Sequence, residues 1–247
     1  MSEAVNTLEG WYALHDFRSI DWASWTSLSE ADRKEAVDEL MEFTRQWAKT
    51  EENKQGSTSM FSIVGHKADI AIIHMRPTLE ELDAVETAFN KTFFASFTVQ
   101  SYSYVSVVEL SSYVSQAANP EEDPAIQARL KPILPKTKHV CFYPMNKKRE
   151  GNDNWYMLSM EERRGMMRSH GMIGRSYAGR VTQIITGSVG FDDWEWGVTL
   201  FADDPVVFKK LVYEMRFDEA SARFGEFGTF IVGNRLTEGR LADYLSV

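Results

Sequence analysis

The side chains best suited to chemistry in this chain of 247 residues lie mostly in its second half. His170 follows Met166 by four positions and Met160 by ten. It therefore shares the apolar stripe of a helix expected over about 159–170, opened by the capping-box spacing Ser159-x-x-Glu162 and stopped by Gly171. An inward-facing imidazole at that place is either a core residue favoured by the negative end of the helix dipole or a neutral nitrogen ligand for an iron porphyrin. In VCFYPMNKKR, the period-two alternation of a strand puts Tyr143, Met145 and Lys147 on one face and Val140 and Phe142 on the other, and Pro144 implies an edge or a bulge. A phenol, a thioether and an ammonium on one surface are either part of a half-exposed strand running into solvated basic residues at 147–149 or one wall of a site. On VTQIITGS, Gln183 shares a face with Val181 and Ile185. It is a surface amide or, facing a cavity, a group that hydrogen-bonds a small oxygen ligand without titrating. Trp194 and Trp196 read most simply as cavity wall or core.

Other chemistries lack their residues. His15, His66, His74 and His139 form no metal-ligand spacing such as H-E-x-x-H, so no second metal is expected. No Gly-rich nucleotide loop and no G-x-S-x-G elbow occurs. The single cysteine, Cys141, forms no intrachain disulfide, and without C-x-x-C-H no haem is attached covalently. No apolar run approaches the roughly 20 residues of a membrane span, and MSEAVNTLEG has no export character, so a reducing cytoplasm is the expected location. The net charge of −9 argues against nucleic acid. Residues 1–118 carry 9 basic and 18 acidic side chains and residues 119–247 carry 18 of each, so an anionic ligand is expected in the second half.

The elements that must position these residues follow one pattern written twice. GWYALHDFR (10–18) reads as a strand, followed by a helix over about 29–48 with Val37, Leu40, Met41 and Trp47 on one face and Ser27/Glu30 at capping-box spacing. Strands SMFSIVG and DIAIIHM, a helix from Thr78-x-x-Glu81 and strand YSYVSVVEL (102–110) complete βαββαβ. The second half repeats it: strand KHVCFYPM, the His170 helix, strands RVTQIITGS and WEWGVTLFA, a helix from Asp204-Pro205 carrying Phe208, Leu211, Val212 and Met215, and a last strand, FGTFIVGN. The expected fold is α+β: two tandem ferredoxin-like units, residues 1–115 and 136–247, joined by a linker at 116–135 and forming a dimeric α+β barrel within one chain.

CFYPMNKKR, NWYMLSMEERR, RSHGMIGRSYAGRVTQIITGSVG, FDDWEWGVTLF and YEMRFDEASARFGEFG together resemble the coproheme decarboxylases of Gram-positive bacteria, within the chlorite-dismutase-like superfamily. The resemblance extends to GWYALHDFRSIDW, KADI and YSYVSVVELS and is strongest over 138–233. It implies a homopentamer, with the porphyrin in the second unit. His170 then matches the proximal iron ligand, Tyr143 the redox-active tyrosine beside a reactive propionate, and Gln183 the distal glutamine. Arg129, Lys147, Arg216, Ser221, Tyr113 and the backbone near Met145 match groups that hold propionates, while Trp155 and Trp194 match pocket aromatics. The segment FFASFTVQ (93–100) and the short linker depart from the family pattern.

The implied substrate is Fe-coproporphyrin III (coproheme), which is also the redox centre. Hydrogen peroxide is the oxidant, haem b the product, and a ferrochelatase the expected supplier. A phenoxyl radical on Tyr143 would take hydrogen from a propionate, whose carboxyl group leaves as carbon dioxide. Lys147 would bind the reacting carboxylate or move a proton. Rival readings are a haem b peroxidase or chlorite dismutase of the same superfamily, a haem-binding or transfer protein that has no need of Tyr143, and a purely structural α+β protein. The family's chlorite-converting members carry a distal arginine where this chain has Gln183.

Overall fold

The computed structural model describes residues 4–111 and 122–247. In the first half, β1 (Thr7–Ile20) leads through α1 (Trp22–Ser27) to α2 (Glu30–Glu52), β2 (Ser57–Ile63), β3 (Ile70–Arg76), α3 (Leu79–Asn90) and β4 (Thr98–Ser111). The second half contains α4 (Pro124–Leu130), β5 (His139–Lys147), β6 (Arg149–Glu150), β7 (Asp153–Asn154), α5 (Met160–Ser176), β8 (Thr182–Gly187), β9 (Trp196–Ala202), α6 (Val206–Met215), α7 (Glu219–Phe224), β10 (Gly225–Phe227), β11 (Ile231–Leu236) and α8 (Glu238–Leu245). With α1, α4, α7, α8 and the short hairpin β6–β7 set aside and β10 and β11 counted as one interrupted strand, βαββαβ occurs twice, and the fold is α+β as expected.

The chain forms two compact units that do not coincide with its halves. One contains Trp11–Val105, Lys131–Leu134 and Val232–Val247, with strands in the order β11-β2-β3-β1-β4. The FGTFIVGN segment closes the second repeat as expected through β10, which pairs with β5 from Gly225↔Lys147 to Phe227↔Met145, but it is not one unbroken strand. It divides into β10 and β11, and β11 runs antiparallel to β2, with Gly233 opposite Ile63 and Leu236 opposite Met60. The core of this unit gathers Leu40 and Trp47 of α2, Met60, Ile70 and Ile72 of the strands, and Leu241 and Leu245 of α8. Trp25 is fully buried there, and its Nε1–H donates to the Leu245 carbonyl at 2.9 Å, so α8 is tied in by a bond as well as by apolar burial. Phe94, in the segment that departs from the family pattern, lies in the same core. A buried Asp16–Arg18 pair at 2.7 Å is completed by bonds from Arg18 to Asn90 and Thr98 and from Gln100 to Asp16, which satisfy charges that burial alone would penalise.

The other unit, Met1–Gly10, Ser106–Leu130 and Pro135–Ile231, holds strands in the order β10-β5-β9-β8-β4. Its apolar cluster joins Cys141 and Tyr143 of β5 to Val198 and Leu200 of β9 and to Val207, Phe208, Leu211 and Met215 of α6, the helix whose stripe was read from the sequence. β5 and β9 pair without interruption from His139↔Ala202 to Met145↔Trp196. Pro144 therefore marks neither an edge nor a bulge. Its register partner is Gly197, and its carbonyl accepts the Gly228 N–H at 2.8 Å.

Two helix boundaries differ from the sequence reading. Ser29, not Ser27, caps α2 by accepting the Asp32 N–H, because Leu28 is extended and ends α1 first. α5 does not stop at Gly171. It runs to Ser176, and no side chain added at Gly171 would meet a neighbour, so this glycine is an ordinary helical residue. The capping box opening α5 is present, with Ser159 Oγ accepting the Glu162 N–H and Glu162 accepting the Ser159 N–H at 2.8 Å. Replacing Ser159 by Ala should lower unfolding free energy by about 1 kcal/mol; urea denaturation checks this, and an unchanged midpoint would contradict the role given to the cap.

Candidate functional site

Because α5 continues, His170 lies within the helix, away from its final turn, and the helix C-terminus is not what polarises it. Its partner is Asp218. His170 Nδ1 stands 2.9 Å from Asp218 Oδ2, with 26% of the imidazole and 2% of the carboxylate side chain exposed. An ionised carboxylate only accepts, so Nδ1 carries the hydrogen and the Nε2 lone pair is left available. Burial lowers the His170 pKa, the bond and charge of Asp218 oppose this, and Lys147 adds to the lowering. The ring is thus held neutral with one nitrogen committed. Asp218 also caps α7 by accepting the Ser221 N–H at 3.3 Å, and Ser221 Oγ lies 3.5 Å from His170 Nδ1.

Lys147, at the end of β5, is 8% exposed. Its Nζ lies 4.6 Å from the centre of the Trp155 ring and donates to the Ala220 carbonyl at 3.2 Å. An ammonium has three donors, and among the described residues no ion pair occupies the others. Burial lowers its pKa to about 8 against the opposing charges of Asp218 and Glu195. Trp155 is buried edge-on to Phe224 at 5.4 Å, so α7 and the segment after β7 form the walls around this ammonium.

Tyr143, two strand positions before Met145 and four before Lys147, is 7% exposed. Its ring stacks on Phe230 at 4.4 Å and leans on Phe227 at 5.9 Å. Burial raises the phenol pKa, with Cys141 adding to the rise and Arg216 opposing it, so the hydroxyl stays protonated at neutral pH. Among the described residues that hydroxyl has no hydrogen-bond partner. Arg216, the exposed C-cap of α6, lies over Phe227 at 3.9 Å. Met145 is half-buried against the same cluster. Gly228 permits the approach of Trp194, since a Cβ there would lie 2.8 Å from the indole and 2.7 Å from Pro144.

The structure therefore draws His170, Lys147, Trp155 and Ser221 into one group around α7, and Tyr143, Met145 and Arg216 into a second around Phe227, with β5 common to both. Gln183 is exposed on β8 beside exposed Ile185, and Arg129 is exposed on α4. Trp196 Nε1 donates to Glu109 at 2.8 Å. Tyr113 lies outside the described residues. Asp218, Glu195, Phe227 and Phe230 were not singled out from the sequence. The one available signal was Asp218-x-x-Ser221 as a helix start, in a stretch too short to display a period. Of the other histidines, His15 is driven down to about 3 and His74 well below its usual value, both chiefly by burial, which leaves neither free to bind protons near neutrality. Among the described residues no three His, Cys, Asp or Glu side chains cluster as metal ligands, and no helix is long and apolar enough to cross a membrane. A cavity of about 440 Å³ lined by Thr137, Arg180, Asp203 and Lys210, among others, includes none of the His170 group.

The family model described as chlorite dismutase matches residues 33–236, and the chain belongs to this family. A solved structure described as a novel heme-binding protein from Thermus thermophilus shares 49% identity, covering 100% of this chain and 99% of its own, with a TM-score of 0.96. A chlorite dismutase from Candidatus Nitrospira defluvii has the same fold at 17% identity, with 96% of each chain covered and a TM-score of 0.77.

Lys147 titrates near 8 folded and near 10.5 when solvated, so the folded state binds fewer protons between those values and stability rises with pH across them. The cost of burying the charge is fully present below about pH 8 and is relieved toward pH 10.5. Lys147→Met should accordingly stabilise the ligand-free protein at pH 7 by up to about 3 kcal/mol, with the gain shrinking as pH rises. Denaturation at pH 7 and 10 checks this, and a pH-independent difference would contradict the burial cost.

Proposed function

We propose that this protein binds coproheme in its second unit and decarboxylates two of its propionates with hydrogen peroxide, giving haem b through a three-propionate intermediate. The observation that carries the reading is the combination, in one unit, of a neutral imidazole with Nε2 available, a buried ammonium with unused donors and a buried, protonated phenol. These are the groups needed by a ferric iron, a carboxylate and a one-electron oxidation, and they fit the substrate. The family and the heme-binding relative support it from outside.

Bound coproheme with peroxide supplies the oxidising equivalents. His170 holds the iron through Nε2, and Asp218 fixes the tautomer that makes this nitrogen available. Lys147 and Ser221, with Arg216, Arg129 and Tyr113, hold propionates, and each charge-assisted bond contributes roughly 1.5–3 kcal/mol. Met145, Trp155 and Trp194 line the ring, and Gln183 faces the peroxide side. Tyr143 gives up a proton and an electron, then takes hydrogen from a propionate Cβ. Loss of the carboxyl group as carbon dioxide and a second one-electron oxidation leave the vinyl group. Each round consumes a propionate carboxylate, a peroxide and a proton, and releases carbon dioxide and two waters. Burial suits Tyr143 to this task, because a phenol that cannot ionise transfers proton and electron together. Assembly as a homopentamer in the cytoplasm and supply by a ferrochelatase rest on the family resemblance.

A haem-binding or transfer role would use the same His170 and propionate contacts and leave Tyr143 without a task. Tyr143→Phe separates the two. The variant should bind ferric coproheme within a few-fold of wild type but form haem b at least about a hundredfold more slowly; conversion at the normal rate removes Tyr143 from the mechanism. His170→Ala should bind coproheme about tenfold or more weakly and lose the five-coordinate histidine spectrum, and an unchanged spectrum would remove the ligand assignment.

A further inference from the structure

Glu195 lies at the point where the β5–β9 ladder ends. The last backbone pair is Met145↔Trp196, and beyond it Asn146 and Glu195 clasp each other's strands through side chains. The Glu195 N–H donates to Asn146 Oδ1 at 2.9 Å, and Glu195 Oε2 accepts the Lys147 N–H at 2.8 Å. The same carboxylate faces the Tyr156 hydroxyl, whose pKa burial and then Glu195 raise, and its Oε1 lies 4.0 Å from Arg149. It is 12% exposed, so these bonds are shielded from competing water. On its other side Lys147 pairs with Gly225 of β10, its neighbour Lys148 donates to the Phe224 carbonyl at 2.8 Å, and Trp155 donates to the Lys148 carbonyl at 3.0 Å. Glu195 thus fastens the backbone of Lys147, and the Lys148 carbonyl next to it holds the Trp155 N–H on the other side of the ammonium's housing.

We infer that Glu195 is a positioning residue: by accepting the Lys147 N–H while its own N–H is held by Asn146, it fixes the end of β5 and holds the Lys147 ammonium where its unused donors meet a carboxylate of the bound porphyrin. The inference rests on the proposed function only for the identity of that carboxylate. Glu195 does not touch the substrate; it acts through Lys147. The titratable groups facing this ammonium are Glu195 ahead of β9, Asp218 at the start of α7 and the neutral His170 on α5. Removing the Glu195 charge takes away one of the two carboxylates that keep Lys147 protonated.

The test is an absorption titration of ferric coproheme, without peroxide, into wild type, Glu195→Gln, Lys147→Met and the double variant between pH 6 and 9.5. Glu195→Gln should weaken binding about tenfold at pH 8 and move the pH at which affinity falls to a lower value than in wild type. In the Lys147→Met background the same change should have no further effect and no pH shift. Glu195→Asp, which keeps the charge, should restore the wild-type pH midpoint, and it carries the comparison if Glu195→Gln does not fold. Equal weakening with and without Lys147, or an unmoved midpoint, overturns the inference. Binding by wild type without later conversion by peroxide would count against the proposed reaction and leave this result standing.

Discussion

The bond between His170 and Asp218 is the constraint on which the site of the second unit depends. It joins α5 to a carboxylate that is almost fully buried, and it decides which imidazole nitrogen stays open. The same carboxylate caps α7, so it cannot turn away from His170 without also releasing the Ser221 N–H. Through α7 the constraint reaches Lys147, whose ammonium is tied to the Ala220 carbonyl one residue before Ser221. The imidazole, the Ser221 hydroxyl and the Lys147 ammonium are in this way referred to one short helix.

Burial tunes the three principal groups in directions that suit the roles proposed for them. It keeps His170 neutral, as the proposed iron ligand must be, keeps Tyr143 protonated, as the proposed hydrogen abstractor must be, and places Lys147 near 8, where it remains charged at neutral pH at a cost that a bound carboxylate would offset. Without a ligand the arrangement is strained toward anion binding.

Much of the fold was legible because long amphipathic stretches dominate it. The stripe Phe208, Leu211, Met215 and the N-caps at Thr78 and Ser159 led to helices found in place. Failures came where local signals compete. Gly171 reads as a stop, yet nothing at that point obstructs continuation of α5, and Pro144 reads as an edge, yet its carbonyl is engaged and its missing N–H leaves the register with β9 intact. The last strand was placed in the second repeat, where β10 does pair with β5, but its break and the run of β11 beside β2 were missed, because strand pairing is a long-range choice that period-two patterning does not encode. In the site, Tyr143, Lys147 and His170 were visible by type and spacing, whereas Asp218 and Glu195 act through partners 48 positions away, which a linear reading does not join.

The central claim is that the second unit turns a four-propionate iron porphyrin into haem b. The most direct measurement adds ferric coproheme to the purified protein, titrates in hydrogen peroxide and follows the extracted porphyrin by mass spectrometry beside the absorption spectrum. The account predicts stepwise loss of two carboxyl groups through a three-propionate species. Tight binding with no change of mass, or with bleaching of the ring alone, would contradict it and leave a haem carrier or a haem-dependent peroxidase.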